Sequence, residues 1–325
     1  MFLAEKTFRH APSSMQEVIQ WIENGQVSPV EAFRLFEQVG ETVLQSIPEE
    51  DAASRIKSIM SELDELIGLS YVKELVKEIQ AFVEIQRRRS EVGLRSEAQT
   101  LHMVFKGNPG TGKTTVARIF GRLFHEIGVL QKGHLVEVER ADLVGEYIGH
   151  TALKTRENVK KAMGGILFID EAYSLARGGD KDFGKEAIDT LVKAMEDHKD
   201  NLVLILAGYR REMEYFLRTN PGLRSRFPIQ LDFPDYSADD LLAIAELMLK
   251  QREYYLTDSA KDYLRRVIED MIATGAIQEG NARFVRNVVE KAIRQQAVRL
   301  VRHNIYSRRE LMQIHLYDLE GCLTS

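Results

Sequence analysis

Short strand-like runs alternate with helical segments through the middle of the chain, between residues 66 and 234. The intervening segments, such as 152–163 and 184–197, repeat their apolar residues with helical spacing. This alternation is typical of a parallel sheet with helices on its faces. The predicted strands are residues 101–106, 134–139, 165–170, 201–207 and 228–232.

The first 65 residues carry helical patterns. Ser14 with Glu17, and Ser28 with Glu31, each combine a polar N-cap with an acid at the position of a capping box. We expect a small helical unit whose apolar faces pack on each other or on the neighbouring domain. Docking of a partner on the same faces is the alternative.

The last segment of the chain, from about residue 236, also has helical periodicity, and no strand is predicted there. Its predicted helices are Asp239–Lys250, Ser259–Ala273 and Ala282–His303. The pattern therefore predicts an α/β protein with a helical region on either side of the sheet domain. The predicted boundaries are 1–65 for the N-terminal helical region, 66–235 for the α/β domain and 236–325 for an all-helical C-terminal domain.

Composition limits the classes of function. The 325 residues are 44% hydrophobic and 29% charged, as in soluble globular proteins. A net charge of -5 argues against a nucleic-acid-binding protein. The one cysteine, Cys322, cannot form an intrachain disulfide or a cysteine zinc site. With no signal-peptide pattern and no apolar run of about 20 residues, we expect a cytoplasmic protein with no membrane partner.

A glycine-rich loop follows the first predicted strand. Residues 107–114 match the spacing G-x-x-x-x-G-K-[ST] and lie between a strand-like and a helical segment. Gly107, Gly110 and Gly112 allow the backbone N–H groups to face an anion. Lys113 can reach the β- and γ-phosphates of a nucleotide, and the Thr114 hydroxyl can bind Mg²⁺. We therefore predict ATP and Mg²⁺ as cofactors; an ordinary glycine turn is the alternative.

Two acids end the third predicted strand. Asp170 and Glu171 follow an apolar run at its carboxyl end, where ligands of parallel sheets bind. Asp170 can hold the Mg²⁺ ion with its water shell, while Glu171 acts as the base on the attacking water. Taken alone, the pair also fits a solvated turn. Together with the upstream loop, it indicates hydrolysis of a nucleoside triphosphate, with Lys113, Asp170 and Glu171 as catalytic residues.

The residues from about Leu63 to His303 resemble an AAA+ ATPase module with a helical lid. The resemblance is carried by GNPGTGKT and ILFIDE, and the motifs LVGEYIGHT, NPGLRSRF and DFPDYS are similar to the subgroup that contains red-type Rubisco activase and stage V sporulation protein K. Residues 132–196 look closer to the sporulation branch. The resemblance implies a P-loop NTPase fold and a homo-oligomer, expected to be a hexameric ring, that acts on a protein client.

The resemblance also implies roles for single residues. Arg226 matches the arginine finger that completes a neighbour's site, with Arg224 as its nearest rival, and Arg283 is similar to the lid arginine called sensor 2. Tyr147 and Ile148 resemble the pore-loop residues that grip a threaded peptide. The nucleotide-binding set, in which residues 67–69 pack on adenine, is Ile67, Gly68, Leu69, Asn108, Pro109, Gly110, Thr111, Gly112, Lys113, Thr114, Thr115 and Arg283.

Without the family resemblance, the sequence favours surface positions for these arginines, and it leaves open whether Tyr147 contacts a client or anchors its loop. One segment also departs from the pattern of many AAA+ proteins, which place a small polar residue, sensor 1, at the end of the strand before the finger. Residues 204–209 read LILAGY and offer no such side chain. The Tyr209 hydroxyl could position the attacking water instead, or Glu171 could position it together with a backbone group.

The predicted function is ATP-dependent protein remodelling of the sporulation protein K type, which serves spore maturation. Hydrolysis would move Tyr147 and pull on a client through a central pore. A red-type Rubisco activase, using the same fold on an inhibited carboxylase, is one alternative. A nucleotide-dependent assembly scaffold or switch is another, and it belongs to a different functional class.

Overall fold

A computed structural model describes residues 49–95, 100–147, 149–177 and 183–323 of the chain. Contacts divide the chain into two units, Met1–Ser58 and Ile59–Ser325, so the description below concerns almost entirely the second. The helix starts predicted at Ser14 and Ser28 lie outside the described residues, and so does Ile148.

The centre of the described chain is a five-stranded parallel sheet with the strand order β2-β3-β4-β1-β5. Each of these five strands overlaps one of the predicted runs. β1, β3 and β4 are buried along their whole length, whereas β5 at the edge alternates between buried and accessible residues. Continuous burial is expected of central parallel strands that are covered on both faces. The strands are β1 (Met103–Gly107), β2 (Leu135–Val138), β3 (Ile166–Ile169), β4 (Val203–Gly208) and β5 (Ile229–Phe233).

Helices connect and flank these strands. The segment between β3 and the next helix forms a 3-10 turn at Ala172–Ala176. The α-helices that precede β5 in the chain are α1 (Glu49–Glu65), α2 (Ser70–Glu91), α3 (Lys113–Glu126), α4 (Arg140–Leu143), α5 (His150–Ala162), α6 (Gly184–Asp197), α7 (Arg210–Thr219) and α8 (Pro221–Arg224).

Side chains alternate between the two faces of the sheet. Val104, Leu167 and Leu204 belong to one core cluster that also contains residues of α6 and α7. The next residues along two of these strands, Phe105 and Phe168, meet with their ring centroids 6.5 Å apart. Both are fully buried, and an alternation with period two along a strand explains the separation into two faces.

The C-terminal part of the chain has its own core. α9 begins at a capping box, in which the amide of Asp240 donates to Ser237 Oγ at 3.1 Å and the Ser237 amide donates back to the Asp240 carboxylate. The helices are α9 (Ala238–Lys250), α10 (Asp258–Ala273), α11 (Ala282–His303), α12 (Arg308–Met312) and α13 (Leu316–Leu323), with a 3-10 turn at Ala276–Glu279.

One expectation for this region was wrong. β6 (Tyr255–Leu256) pairs in parallel with β7 (Gln313–Ile314), so the domain is helical but not entirely so. Strands of two residues are too short to show an alternating pattern, and the sequence therefore gave no signal for them. Among the described residues, no helix has the length and apolar character needed to cross a membrane.

Candidate nucleotide-binding site

A cleft of about 570 Å³ lies between the strand ends and the C-terminal helices, and its volume is within the usual range for small-molecule sites. Both acids predicted to be catalytic, Asp170 and Glu171, line it. Gly68, Asn108 and Thr111 do not line it, although they adjoin residues that do. The other lining residues from the predicted nucleotide set are Ile67, Leu69, Pro109, Gly110, Gly112, Lys113, Thr114, Thr115 and Arg283.

The glycine-rich loop has the backbone that its sequence predicts. Gly110 and Gly112 have φ angles of 72° and 96°, in the left-handed region that favours glycine. α3 starts at Lys113, directly after the loop. The free N–H groups and the positive end of the helix dipole therefore face the cleft, as an anion-binding loop requires.

The Lys113 ammonium sits inside the loop. Its Nζ donates hydrogen bonds to the carbonyl oxygens of Gly107 at 2.8 Å and Asn108 at 2.7 Å. Burial lowers the pKa of Lys113 from its ordinary 10.5 to about 8, with Arg283 lowering it further and the carboxylates of Asp170 and Asp235 opposing the shift. The ammonium is thus a partly desolvated cation, which strengthens its attraction to a phosphate.

The acids at the end of β3 are arranged by a strained turn. Glu171 has a φ of 45°, an uncommon value for a residue with a side chain. Its amide donates to the Asp170 carboxylate at 2.9 Å, and its carbonyl accepts from Ser174 at 2.7 Å. This backbone leaves the Glu171 side chain exposed at the cleft. Strain of this kind is concentrated at functional sites.

The residues of the cleft fit a magnesium–nucleotide complex. Thr114 and Asp170 supply a hydroxyl and a carboxylate on the same lining, and Mg²⁺ in such sites is held by one or two protein oxygens together with the phosphates. Within the described part of the chain, no group of three or more His, Cys, Asp or Glu side chains could hold a metal by itself. A metal carried by the nucleotide is compatible with this donor set.

The other half of the cleft is apolar. Ile67 and Leu69 from the turn before α2 line it together with Ile244, Leu247 and Met248 from α9. Ile67 also packs against the core of the C-terminal domain. An apolar surface with a polar phosphate end is what a purine nucleotide needs.

Two arginines of α11 reach the cleft. Arg283 and Arg286 both line it, and they are one helical turn apart. Sequence reasoning named only Arg283. Their spacing of three residues at the start of a helix is the signal that could have identified the second.

The two candidate finger arginines lie outside this cleft. Arg226 donates to the Gly222 carbonyl at 2.8 Å and forms an ion pair with Glu196. Arg224 is exposed. Neither residue lines the cleft of the same chain, which is the placement that a contribution to a neighbour's site requires.

Tyr147 lies in the loop between α4 and α5, and its side chain is 66% exposed. The ring makes one edge-on contact with His150, at 5.5 Å between centroids. Gly149, with a φ of 82°, turns the chain into α5. Tyr147 is therefore presented to solvent by the two glycines around it, Gly145 and Gly149, and not anchored in the core.

The strand end without a small polar side chain carries a tyrosine instead. Tyr209 follows β4 directly, lines the cleft, and lies 6.1 Å from the ring of Tyr173. Tyr209 is the side chain that this strand end contributes to the lining of the cleft.

Three residues were missed: Asp235 and Tyr236, directly after β5, and Asn281, directly before α11. The carboxylate of Asp235 accepts hydrogen bonds from the side-chain amides of Asn108 at 2.9 Å and Asn281 at 2.8 Å. The Tyr236 hydroxyl donates to the Thr111 carbonyl at 3.1 Å. Asp235 and Tyr236 follow β5, whose carboxyl end faces the same edge as the loop, and this position was the available signal.

Comparison with known families agrees with this architecture. Residues 103–235 match the model of the ATPase family associated with various cellular activities (AAA). Residues 237–324 match the model of the AAA lid domain. The RuvB Holliday junction branch migration motor of Thermotoga maritima has a similar structure over 80% of this chain and 70% of its own, with a TM-score of 0.53 and 21% identity, which shows the fold alone.

Other relatives are considerably more similar to this chain in sequence than RuvB is. Stage V sporulation protein K of Bacillus subtilis is 59% identical over 81% of this chain and 82% of its own length. Protein CbbX of Cereibacter sphaeroides is 49% identical over 76% and 80%. The chloroplastic ribulose bisphosphate carboxylase/oxygenase activase of Cyanidioschyzon merolae is 45% identical over 76% and 84%. The chain belongs to the AAA family of ATPases, and it is an ATP-hydrolysing enzyme with an AAA lid domain.

Proposed function

We propose that this ATPase remodels a protein client in the manner of a stage V sporulation protein K, as a cytoplasmic homo-oligomeric ring, expected to be a hexamer. The observation that carries the proposal is the exposed Tyr147 on a glycine-flanked loop. The same chain has a cleft lined by the phosphate loop and by Asp170 and Glu171. A large amphipathic ring on such a loop can contact varied client side chains. The 59% identity to the sporulation protein favours a role in spore maturation.

In the proposed chemistry, a Mg²⁺ ion bound with the nucleotide would supply positive charge that neutralises its phosphates. Lys113 binds the phosphates, and Thr114 and Asp170 hold the metal and its waters. Glu171, exposed at the cleft beside Asp170, accepts the proton of the attacking water. Arg283 contacts the γ-phosphate from the lid, and Tyr209 orients the water through its hydroxyl.

A neighbouring subunit supplies the arginine finger in this proposal. A second depression of about 380 Å³ shares Asp170 and Glu171 with the cleft, and Glu139 adds a third acid to its lining. An excess of carboxylates at this opening would attract a guanidinium. Arg226, or its rival Arg224, would reach it from the adjacent chain, because neither lies at the cleft of its own chain.

A trapped enzyme tests the remodelling function. Glu171→Gln should bind ATP, fail to hydrolyse it, and retain client proteins from an extract of the source cells. Adding Tyr147→Ala should abolish that retention while ATP binding is unchanged. Tyr215→Ala is the matched control, because Tyr215 is 61% exposed on α7, well separated in sequence from the pore loop.

Equal retention by the Tyr147→Ala and Tyr215→Ala proteins would contradict a gripping role for Tyr147. It would favour the scaffold or switch, in which ATP binding orders the ring and hydrolysis resets it. A red-type Rubisco activase is the second candidate because of the 45% identity to the algal activase. ATP-dependent recovery of an inhibited carboxylase by the purified chain would favour it.

A further inference from the structure

The phosphate loop is hydrogen-bonded to the lid through side chains from three distant parts of the sequence. Asp235 lies in the connection between β5 and α9, and its carboxylate accepts from Asn108 Nδ2 at 2.9 and 3.0 Å. It also accepts from Asn281 Nδ2 at 2.8 Å, at the start of α11. One carboxylate therefore joins the loop, the interdomain connection and the lid helix.

Burial and hydrogen bonds hold Asn281 in this arrangement. Its side chain is completely buried, and its backbone has φ 45° and ψ -125°, outside the ordinary regions for a residue with a Cβ. Its Oδ1 accepts from the Tyr236 amide at 3.1 Å, while Nδ2 faces both Asp235 and the Pro109 carbonyl. Each polar atom of the side chain thus has a partner, and those partners hold an otherwise unfavourable backbone in place.

Backbone groups of the loop take part as well. The Ala282 amide donates to the Gly110 carbonyl at 3.2 Å, and the Tyr236 hydroxyl donates to the Thr111 carbonyl at 3.1 Å. A Cβ at Gly110 would overlap the carbonyl oxygen of Gly280. The loop and the first turn of α11 are therefore in direct contact, with no space for an intervening layer.

We propose that Asn108, Asp235, Tyr236 and Asn281 form a hydrogen-bonded latch that holds the phosphate loop in its binding conformation and makes the loop and the lid move together. Asp235 and Asn281 are positioning residues, because they act through the loop, whereas Tyr236 both bonds to the loop and lines the cleft. The latch rests on the proposed use of Lys113 and the loop as the phosphate site. It stabilises the loop before nucleotide arrives, so binding energy is not spent on ordering it.

The direction in which Asp235→Asn changes nucleotide affinity distinguishes the latch from a purely electrostatic effect of Asp235. Asp235 is close enough to Lys113 to oppose the lowering of its pKa, so its negative charge also repels phosphates. Removing that charge alone should strengthen nucleotide binding. In a latch, Asp235→Asn places an amide N–H against another amide N–H, and binding should weaken.

The expected loss for Asp235→Asn is about tenfold or more in the affinity for ADP, because bonds to a charged group are among the stronger hydrogen bonds. Asn281→Asp should weaken binding similarly, since two carboxylates then face each other. The loss should be equal for ADP and a non-hydrolysable ATP analogue, because both nucleotides occupy the loop. Affinity is measured by titration calorimetry with each nucleotide and magnesium.

The double variant Asp235→Asn with Asn281→Asp tests the pairing itself. The carboxylate at position 281 can then accept from the Tyr236 amide and from the amide at position 235, whose carbonyl oxygen accepts from Asn108. Affinity should be higher than that of either single variant, because the bond between positions 235 and 281 is restored, although the bond from position 281 to the Pro109 carbonyl is not. Tyr236→Phe, which removes only the bond to Thr111, should cause a smaller loss of about fivefold.

Two controls make each outcome decisive. Asp239→Asn removes an exposed charge of the lid, in an ion pair with Arg265, and should leave nucleotide affinity unchanged. Lys113→Ala should abolish binding; if it does not, the phosphate site itself is misassigned. If Lys113→Ala loses binding while Asp235→Asn and Tyr236→Phe, shown to be folded by thermal unfolding, bind like the original, the latch is refuted. Additive losses in the double variant would also refute it.

Discussion

Proton uptake on nucleotide binding follows from the position of Lys113. Burial lowers the pKa of its ammonium to about 8 in the free protein. A bound polyphosphate favours the charged form and should return the pKa to the ordinary 10.5 or above. The free and bound proteins therefore differ in charge at mildly alkaline pH, and binding there must take up a proton.

The size of the effect can be worked out from these values. With a pKa of about 8, roughly nine-tenths of the free protein is protonated at pH 7 and roughly one-tenth at pH 9. Affinity for ADP should consequently fall about tenfold between these pH values, which is about 1.4 kcal/mol of binding free energy. The phosphates change the affinity little, because their second ionisation has a pKa of about 6 and is about nine-tenths complete at pH 7 and almost fully complete at pH 9.

Calorimetry of ADP binding in buffers of different ionisation enthalpy measures the protons taken up. We expect almost no net uptake at pH 7, where about 0.1 proton gained by Lys113 is offset by about 0.1 proton released from the phosphates, and an uptake of about 0.9 proton per site at pH 9. Lys113→Arg is the matched control, since a guanidinium stays charged throughout and should give no uptake. Constant affinity and no proton uptake in the original protein from pH 7 to pH 9 would refute a desolvated ammonium in the loop.

Three further predictions concern other parts of the molecule. Arg283→Ala should weaken binding of an ATP analogue more than that of ADP, because only ATP carries the γ-phosphate; equal losses would leave Arg283 as a surface residue. If Arg226 acts in trans, mixing the inactive Arg226→Ala and Glu171→Gln proteins should restore part of the ATPase activity after subunit exchange, whereas a rise with Arg224→Ala instead would transfer the role to Arg224. Acid should destabilise the fold through His102, because burial lowers the pKa of this imidazole from 6.5 to about 4 and protonation then favours the unfolded chain. This contribution is complete above pH 6.5 and is lost as the pH falls towards 4, with about 2 kcal/mol gone at pH 5; urea unfolding of His102→Asn should depend less on pH.

The sheet and the position of Asp170 and Glu171 at the cleft were predictable because their signals are local. The loop at 107–114 and the acids after β3 are each contiguous in sequence, and parallel topology alone brings strand ends to one edge. Continuous apolar runs marked the central strands. By contrast, β6 and β7 consist of two residues each, and pairing between such short segments depends on the surrounding helices.

Hydrogen bonds between distant residues were not predictable in the same way. Asn108 and Asp235 are 127 residues apart, and Asp235 and Asn281 are 46 apart. Amide and carboxylate side chains are ordinary turn residues, so no periodicity or spacing relates these three to one another. The role proposed for Arg226 would depend on a second chain, which a single sequence describes only through resemblance.

The separation of the two cores suggests how nucleotide can control the lid. The sheet domain and the lid each bury their own apolar cluster, so a change of lid position need not open either core. What resists the change is the contact of Ile67 and Tyr236 with the lid core together with the hydrogen bonds around Asp235. Interactions of this kind contribute on the order of a few kcal/mol in total, which is within the differential binding energy that a nucleotide can supply. Substitutions at Asp235 or Asn281 should therefore alter the response of the lid to nucleotide while the protein remains folded.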